Sequence, residues 1–128
     1  MSRPASYLLD THVALWWFNA DPRISPEREQ TLGQSRCLIS AATIWEVAIK
    51  HRLGKLPVAP QTLLRCAMEA GFELLDIHPG HAAATAELEP LHHDPFDRLL
   101  LAQARHDRHQ LITADAALLA YGRGVERL

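Results

Sequence analysis

Short runs of apolar residues, each followed by a longer segment with helical periodicity, recur along the chain and constrain its fold more than any other feature. The runs at 7–9, 37–39 and 111–113 read YLL, CLI and LIT. Strands of a parallel sheet are covered by helices on both faces, so they are continuously apolar rather than alternating. We predict strands at residues 7–10, 37–40, 72–77 and 110–113, and a final edge strand at 125–128.

Helical segments lie between these strands. We predict short helices that begin near residues 13, 26 and 115, and longer helices at 41–52, 60–70, 79–89 and 94–109. Ser25 and Ser40 are residues preferred at helix N-caps, and Pro26 suits a first helical position. Strands that alternate with helices imply right-handed crossovers and a mainly parallel sheet. The predicted fold class is therefore α/β, with functional residues beyond the carboxyl ends of the strands.

Length and composition narrow the functional classes. The 128 residues, 48% of them apolar, suit a single domain spanning 1–128. A net charge of −2 argues against passive electrostatic binding of nucleic acid, although metal ions can supply positive charge in a nuclease site. Cys37 and Cys66 show no zinc-binding spacing. Because no apolar stretch approaches ~20 residues and residues 1–7 lack a cleavable signal, we expect a cytoplasmic protein.

Two aspartates follow predicted strands directly. Asp10 ends the first strand segment, and Asp115 comes two residues after Thr113 closes the fourth. Both carboxylates are therefore expected at the carboxyl edge of the sheet. Each residue also suits a helix N-cap, so the sequence leaves a functional and a structural interpretation open.

Helix capping accounts well for two further acids, Asp94 and Asp97, but not for a third, Glu46. In HHDPFDR, Asp94 is a good N-cap, Pro95 fits the first helical position, and Asp97 resembles the acid of a capping box. Glu46 lies in the second turn of its predicted helix, inside the apolar segment ATIWEVAIK, where no cap explains it. A solvated helix face is the alternative interpretation for Glu46.

Four acids from separate segments map to one edge of the predicted sheet: Asp10, Glu46, Asp97 and Asp115. Carboxylates that lie together repel one another and raise one another's pKa, which a fold tolerates mainly when cations neutralise them. Oxygen ligands without thiolates favour magnesium or manganese over zinc. The eight histidines show no ligand spacing such as HExxH, and we expect surface or capping roles for them.

Four segments resemble those of PIN-domain proteins, and among these the VapC-type toxins of bacterial toxin–antitoxin pairs. They are LLDTH at 8–12, SAATIWEVAIK at 40–50, HHDPFDRLLLAQA at 92–104 and LITAD at 111–115. The resemblance spans nearly the whole chain in the right order and spacing. It implies a three-layer α/β/α domain around a parallel sheet, an acidic pocket that binds Mg²⁺ or Mn²⁺, and endoribonuclease activity.

The resemblance also assigns roles to individual residues. The catalytic and metal-binding acids of the family match Asp10, Glu46, Asp97 and Asp115. Two supporting residues are implied as well. Asp94 precedes the third acid, where it assists or only caps the helix, and Thr113 is placed to orient a water or a ligating carboxylate.

The partners implied by the resemblance are an RNA substrate, a second copy in a homodimer, and a cognate antitoxin that lays a segment across the toxin groove. The apolar segment VALWWF at 13–18 is the predicted binding surface, because two adjacent tryptophans cannot both enter one core from a single helix face. Packing in the core is the alternative for this segment.

The sequence lacks a residue that two other α/β classes with an aspartate after the first strand require. A haloacid-dehalogenase-type phosphatase or a receiver domain needs a lysine late in the chain, and both lysines lie before residue 56. A non-catalytic PIN-like interaction module is the main alternative from a different class. A metal-dependent nuclease with a DNA substrate also stays open, since the metal chemistry does not select the sugar.

Overall fold

Five short strands form one sheet in the computed structural model, which describes residues 5–128. They are β1 Ser6–Leu9, β2 Arg36–Ser40, β3 Glu73–Leu75, β4 Gln110–Thr113 and β5 Val125–Arg127. The order is β3-β2-β1-β4-β5, and every neighbouring pair is parallel. All five predicted strands are present, but β3 is shorter than predicted because it is an edge strand paired only with β2. Residues 1–4, part of the segment in which no signal was predicted, lie outside the described residues.

Seven α-helices connect these strands within the described part of the chain. They are α1 Thr11–Phe18, α2 Pro26–Gly33, α3 Ala41–Arg52, α4 Pro60–Glu69, α5 Pro79–Ala84, α6 Pro95–Asp107 and α7 Ala116–Leu119. The helix predicted at 79–89 is wrong at its end: α5 continues as a 3₁₀ turn and Leu88 then takes an extended backbone, with its side chain in the core. No helix among residues 5–128 has the length and apolar character needed to cross a membrane.

Each face of the sheet has its own hydrophobic core. Successive strand residues point to opposite faces. Leu8, Leu38 and Leu111 pack with α6 and α7 on one face, whereas Leu9 and Ile39 pack with α1 and α4 on the other. Helices therefore form a layer on both sides of the sheet, which confirms the α/β class and the three-layer α/β/α arrangement.

A buried polar network fixes the start of α3. The Ser40 hydroxyl accepts from the backbone N–H of Ala42 at 2.9 Å, as predicted for an N-cap, and donates to Gln103 Oε1 at 2.6 Å. Gln103 is fully buried in α6 and its amide nitrogen contacts the Asp76 carbonyl and His81 Nδ1, both at 3.3 Å. This network joins α3 to α6, the two helices that carry Glu46 and Asp97.

Replacing Gln103 with leucine should destabilise the protein by about 2–4 kcal/mol, because the substitution keeps the volume but leaves buried polar partners unsatisfied. The Ser40 hydroxyl loses its buried acceptor, and His81 Nδ1 loses one of its two donors. Urea unfolding followed by circular dichroism measures the change. Gln61→Leu on the exposed surface of α4 is the matched control, expected to stay within about 0.5 kcal/mol. Equal stabilities of the two variants would contradict the role given to Gln103.

Candidate active site

Asp10 follows β1 and caps α1 from a buried position. Its side chain is 3% exposed, and Oδ1 accepts from the backbone N–H of Val13 at 2.8 Å. Oδ2 accepts a short hydrogen bond from the Thr113 hydroxyl at the end of β4. The predicted capping role of Asp10 is therefore present, and it occupies only one of the two carboxylate oxygens.

Thr113 links two of the predicted acids. Its hydroxyl is fully buried, donates to Asp10 and accepts from the backbone N–H of Asp115 at 3.0 Å. Asp115 also caps α7, since its Oδ1 accepts from Ala117 N–H at 2.9 Å, and it is exposed. The Thr113 hydroxyl thus links the residue that follows β1, Asp10, to the backbone that follows β4 at Asp115.

Glu46 points inward from the second turn of α3 rather than to solvent. Only 4% of the residue is exposed, so the alternative of a solvated helix face is wrong. Thr11 donates to Oε1 at 2.6 Å, and Lys50, one turn further along α3, contacts Oε2 at 2.7 Å. The Glu46 hydrogen bond raises the pKa of Lys50, with smaller contributions from neighbouring carboxylates. Lys50 therefore supplies a positive charge at the edge of this acidic group.

Asp94 and Asp97 occupy the first turn of α6, as predicted. Asp94 Oδ1 caps the helix by accepting from the Asp97 backbone N–H at 3.0 Å. Asp97 directs its side chain elsewhere, and Oδ2 lies 2.8 Å from Nε2 of His92. His92, Asp97 and Asp115 each place one donor atom within 4.8 Å of the others. The structure shows the capping role of Asp94; a part for it in ion binding stays a prediction.

Three residues at this site were not predicted from the sequence: Thr11, Lys50 and His92. His92 precedes Asp97 by five residues in HHDPFD, and residues five apart do not lie on the same face of a helix. Asp94 has an extended backbone before Pro95, and the residues ahead of it place the His92 ring beside the Asp97 carboxylate. Lys50 could have been found, because residues four apart on a helix are neighbours.

The carboxylates interact electrostatically. Burial raises the pKa of Asp10, and the charge of Asp115 adds to the effect, although hydrogen bonds from Thr113 and Val13 oppose it. Burial also raises the pKa of Asp97 from 3.8 to about 6, opposed by the His92 hydrogen bond and increased by neighbouring acids. These acids include Asp10 and Glu46. The four predicted acids therefore form one electrostatically coupled group.

The donor set fits a hard divalent cation. The Asp97 and Asp115 carboxylates and the His92 imidazole come within 4.8 Å of one another, and carboxylate oxygens suit Mg²⁺ or Mn²⁺. Asp10 and Glu46 lie outside this group of three, although the charges of both raise the pKa of Asp97. Burial raises the pKa of Asp10 and of Asp97 and so disfavours their ionised forms. A bound cation would stabilise those ionised forms.

The segment predicted as a partner surface, residues 13–18, is mostly packed. Val13 and Ala14 are fully buried, and Trp17 packs edge-on against Phe72 with ring centroids 6.0 Å apart. Trp16, Trp17 and Phe18 are half-buried and pack against the hydrophobic core on the same face of the sheet, so core packing accounts for part of the segment and its role as a partner surface stays a prediction. Among the described residues, the exposed large aromatic side chain is Trp45, which is 57% exposed and next to Glu46 in sequence.

The fold is similar to those of several solved toxin–antitoxin complexes. VapBC2 from Rickettsia felis, bound to a DNA fragment from its promoter, gives a TM-score of 0.72 at 17% identity, over 95% of this chain and 98% of that chain. DNA-bound VapBC from Salmonella typhimurium gives 0.70 at 20% identity, over 96% and 98%. A toxin–antitoxin complex from Klebsiella pneumoniae gives 0.65 at 24% identity, over 94% and 95%. At these identities the likeness concerns the fold.

Sequence comparison identifies the family. Among curated proteins, none matches the chain significantly. The PIN domain, in contrast, matches residues 7–124. This match covers most of the chain, includes the four clustered acids and agrees with the parallel sheet. The chain therefore belongs to the PIN domain family.

Proposed function

We propose that this chain is a metal-dependent endoribonuclease and the toxin of a toxin–antitoxin pair. The observation that carries the proposal is the coupled group of carboxylates at the carboxyl edge of a PIN-domain sheet. Membership of the PIN domain family supports a nuclease. The similar folds of VapBC and related complexes support the toxin role and a cognate antitoxin.

Three aspartates would hold one or two Mg²⁺ or Mn²⁺ ions: Asp10, Asp97 and Asp115. When bound, such a cation lowers the pKa of water and stabilises negative charge on phosphate oxygens. Thr113 keeps Asp10 oriented through its hydroxyl and positions the Asp115 backbone. His92 holds Oδ2 of Asp97 through a contact of 2.8 Å with Nε2 and so fixes the orientation of the carboxylate.

Glu46 is the further ligand or the base that orients the attacking water. Its two oxygens are held by Thr11 and Lys50, so the carboxylate has a defined direction. Water attacks the phosphorus atom in line, and the 3′ oxygen leaves. This hydrolysis produces 5′-phosphate and 3′-hydroxyl ends, and it needs no attack by the 2′-hydroxyl.

Cleavage of a total RNA preparation by the purified chain tests the function. We expect cleavage with Mg²⁺ or Mn²⁺, none in excess EDTA, and products that ligate through 5′-phosphate ends. Single-stranded and duplex DNA are incubated in parallel to test the alternative substrate. Cleavage unaffected by EDTA would contradict the metal-dependent mechanism, and inert RNA and DNA would favour the non-catalytic interaction module.

The surface beside the acids suits the apolar segment of an antitoxin. Trp45 packs edge-on against Phe96 with centroids 5.0 Å apart, and Ile49 and Leu99 line the same hollow. Exposed apolar surface of this kind is typical of protein interfaces. Light scattering should show a homodimer of the free chain and a larger complex with the antitoxin. A monomer under both conditions would contradict both expectations.

Thr113→Val should lower the cleavage rate by about 10- to 100-fold, as is typical for residues that orient metal ligands. Valine keeps the volume but removes the hydrogen bonds to Asp10 and to the Asp115 backbone. Thr113→Ser, which keeps the hydroxyl, should restore most of the rate. Mn²⁺ affinity, measured by calorimetry, should fall with the rate; an unchanged affinity in Thr113→Val would contradict a positioning role.

A further inference from the structure

A second group of metal-binding side chains lies between α5 and α6, far from the acidic pocket. It contains His78, His81, His106 and Asp107, and each places one donor atom within 4.8 Å of the others. Asp107 and Asp97 are ten residues apart on α6, which corresponds to about 15 Å along the helix axis. The group is therefore separate from the site proposed for cleavage.

The three imidazole rings contact one another directly. His78 stacks on His81 with ring centroids 3.5 Å apart, and His106 meets each of them edge-on at 5.2 Å. Gly80 leaves room for this arrangement. A Cβ atom at Gly80 would lie 3.0 Å from Cε1 of His78 and 3.1 Å from Nε2 of His106, so a side chain there would press against both rings.

Asp107 connects the cluster through both carboxylate oxygens. Oδ2 lies 3.0 Å from Nε2 of His81, and Oδ1 lies 2.9 Å from Nδ1 of His106. Both oxygens of Asp107 therefore lie at hydrogen-bond distance from an imidazole nitrogen, and the carboxylate is directed into the cluster.

His81 differs from the other two histidines because both its nitrogens are committed. It is fully buried, and Nδ1 faces two donors at 3.3 Å, the backbone N–H of His78 and the amide nitrogen of Gln103. Nδ1 must therefore accept, and Nε2 carries the proton that it donates to Asp107. His81 orients the carboxylate, as residues around metal ligands commonly do, and is not itself a ligand.

We propose that His78, His106 and Asp107 form a second metal site, which binds a transition-metal ion such as Zn²⁺, Co²⁺ or Ni²⁺. Two imidazoles and a carboxylate are donors that these ions prefer, whereas Mg²⁺ prefers oxygen ligands alone. Ligands about 2.1 Å from a tetrahedral ion lie roughly 3.4 Å apart. The donor atoms of the cluster lie within 4.8 Å of one another. The exposed rings of His78 and His106 can rotate to bring their nitrogens to the shorter distance between metal ligands. The fourth position is open to water.

An ion at this site would join the start of α5 to the last turn of α6. The contacts of His81 with Asp107 and Gln103, and the packing of His106 against His78 and His81, already link these two helices. Since a ligand that binds only the folded state stabilises it, saturation with Zn²⁺ should raise the melting temperature by about 5–10 °C at ~100-fold excess over the dissociation constant.

The untagged 128-residue chain carrying Asp97→Asn provides the test, because that substitution should reduce ion binding in the acidic pocket. Co²⁺ is titrated in a large excess of Mg²⁺, with visible absorption as the readout, and Zn²⁺ by calorimetry. We expect one ion per chain. His78→Ala and His106→Ala should each weaken binding by about tenfold or more. The exposed His93 lies outside the cluster, and His93→Ala should bind as before.

Gly80→Ala supplies a variant that removes no donor atom. The added methyl group should displace the two rings and weaken Co²⁺ binding, while circular dichroism shows an intact fold. Loss of binding in the histidine variants but not in His93→Ala supports the site. The proposal is overturned if Co²⁺ and Zn²⁺ do not bind, if Mg²⁺ displaces them, or if binding survives both His78→Ala and His106→Ala.

Discussion

Asp10→Asn is expected to lower RNA cleavage by more than about 100-fold, because even residues that only orient metal ligands contribute about 10- to 100-fold. The substitution removes a negative charge from the centre of the acidic group but keeps the carbonyl oxygen that caps α1 through Val13. Burial raises the pKa of Asp10 in the metal-free fold, so its ionised form destabilises that fold at neutral pH. Asparagine also removes the acceptor of the Thr113 hydroxyl, which opposes this gain, so the stability of the variant should stay within about 1 kcal/mol of the parent chain. Initial cleavage rates and urea unfolding measure the two effects.

Two controls separate the charge of Asp10 from its capping role. Asp10→Ala removes both, so it should lose activity and also about 1 kcal/mol of stability relative to Asp10→Asn. Asp21→Asn neutralises a half-buried acid paired with Arg23, outside the pocket, and should keep full activity. Undiminished cleavage by Asp10→Asn would remove Asp10 from the metal site, and unfolding of that variant would contradict the stability argument.

Much of the sheet was predictable because its strands lie between helical layers and are continuously apolar. β4 and α3 have the predicted bounds, the latter because Ser40 caps its start and Gly54 follows its end with a φ of +75°. β3 was less predictable, since two of its residues, Glu73 and Leu74, are exposed. The strand order depends on pairings between distant segments, which local patterns do not encode.

The site was predictable to the extent that topology determines it. Asp10 and Asp115 follow strands, so their approach at one edge follows from the parallel arrangement. The bridging hydroxyl of Thr113 depends on the alignment of β1 with β4 and could only be inferred from the family resemblance. The contact of His92 with Asp97 depends on the path of a loop, and no periodicity describes it.

The histidines were expected to have surface or capping roles, and the structure divides them into separate groups. His92 contacts Asp97 in the pocket, and buried His109 forms a hydrogen bond of 2.8 Å between Nδ1 and the Ser6 hydroxyl. His78 and His106 meet although they are 28 positions apart, because α5 crosses the end of α6. Spacing rules for metal ligands detect neighbours within one element, and they do not detect a cluster that two helices build together.

Asp97→Asn should change function and stability in opposite directions, with slower cleavage and a more stable metal-free fold. Cleavage should fall by more than about 100-fold through loss of a metal ligand. The metal-free protein should become more stable at neutral pH by about 1–2 kcal/mol, a value reduced for the partial exposure of the side chain. The folded-state pKa of Asp97 is raised from 3.8 to about 6, so the folded parent chain binds an extra proton in this interval. The contribution of Asp97 to the stability of the parent chain is therefore fully present below about pH 4 and is lost as the pH rises through about 6.

Asp94→Asn is the matched control, since it changes an acid in the same helical turn but keeps an oxygen that can cap α6. Its stability should stay within about 0.5 kcal/mol of the parent, and its cleavage rate within about tenfold, because capping is the role that the structure shows for Asp94. Urea unfolding in EDTA between pH 4 and pH 8, about the range that brackets this titration, provides the measurement. Asp97→Asn should lose the part of the pH dependence that Asp94→Asn retains. If the stabilities of the two variants depend on pH in the same way, the raised pKa assigned to Asp97 is contradicted. If both variants lose cleavage equally, Asp94 is a metal ligand as well as a helix cap.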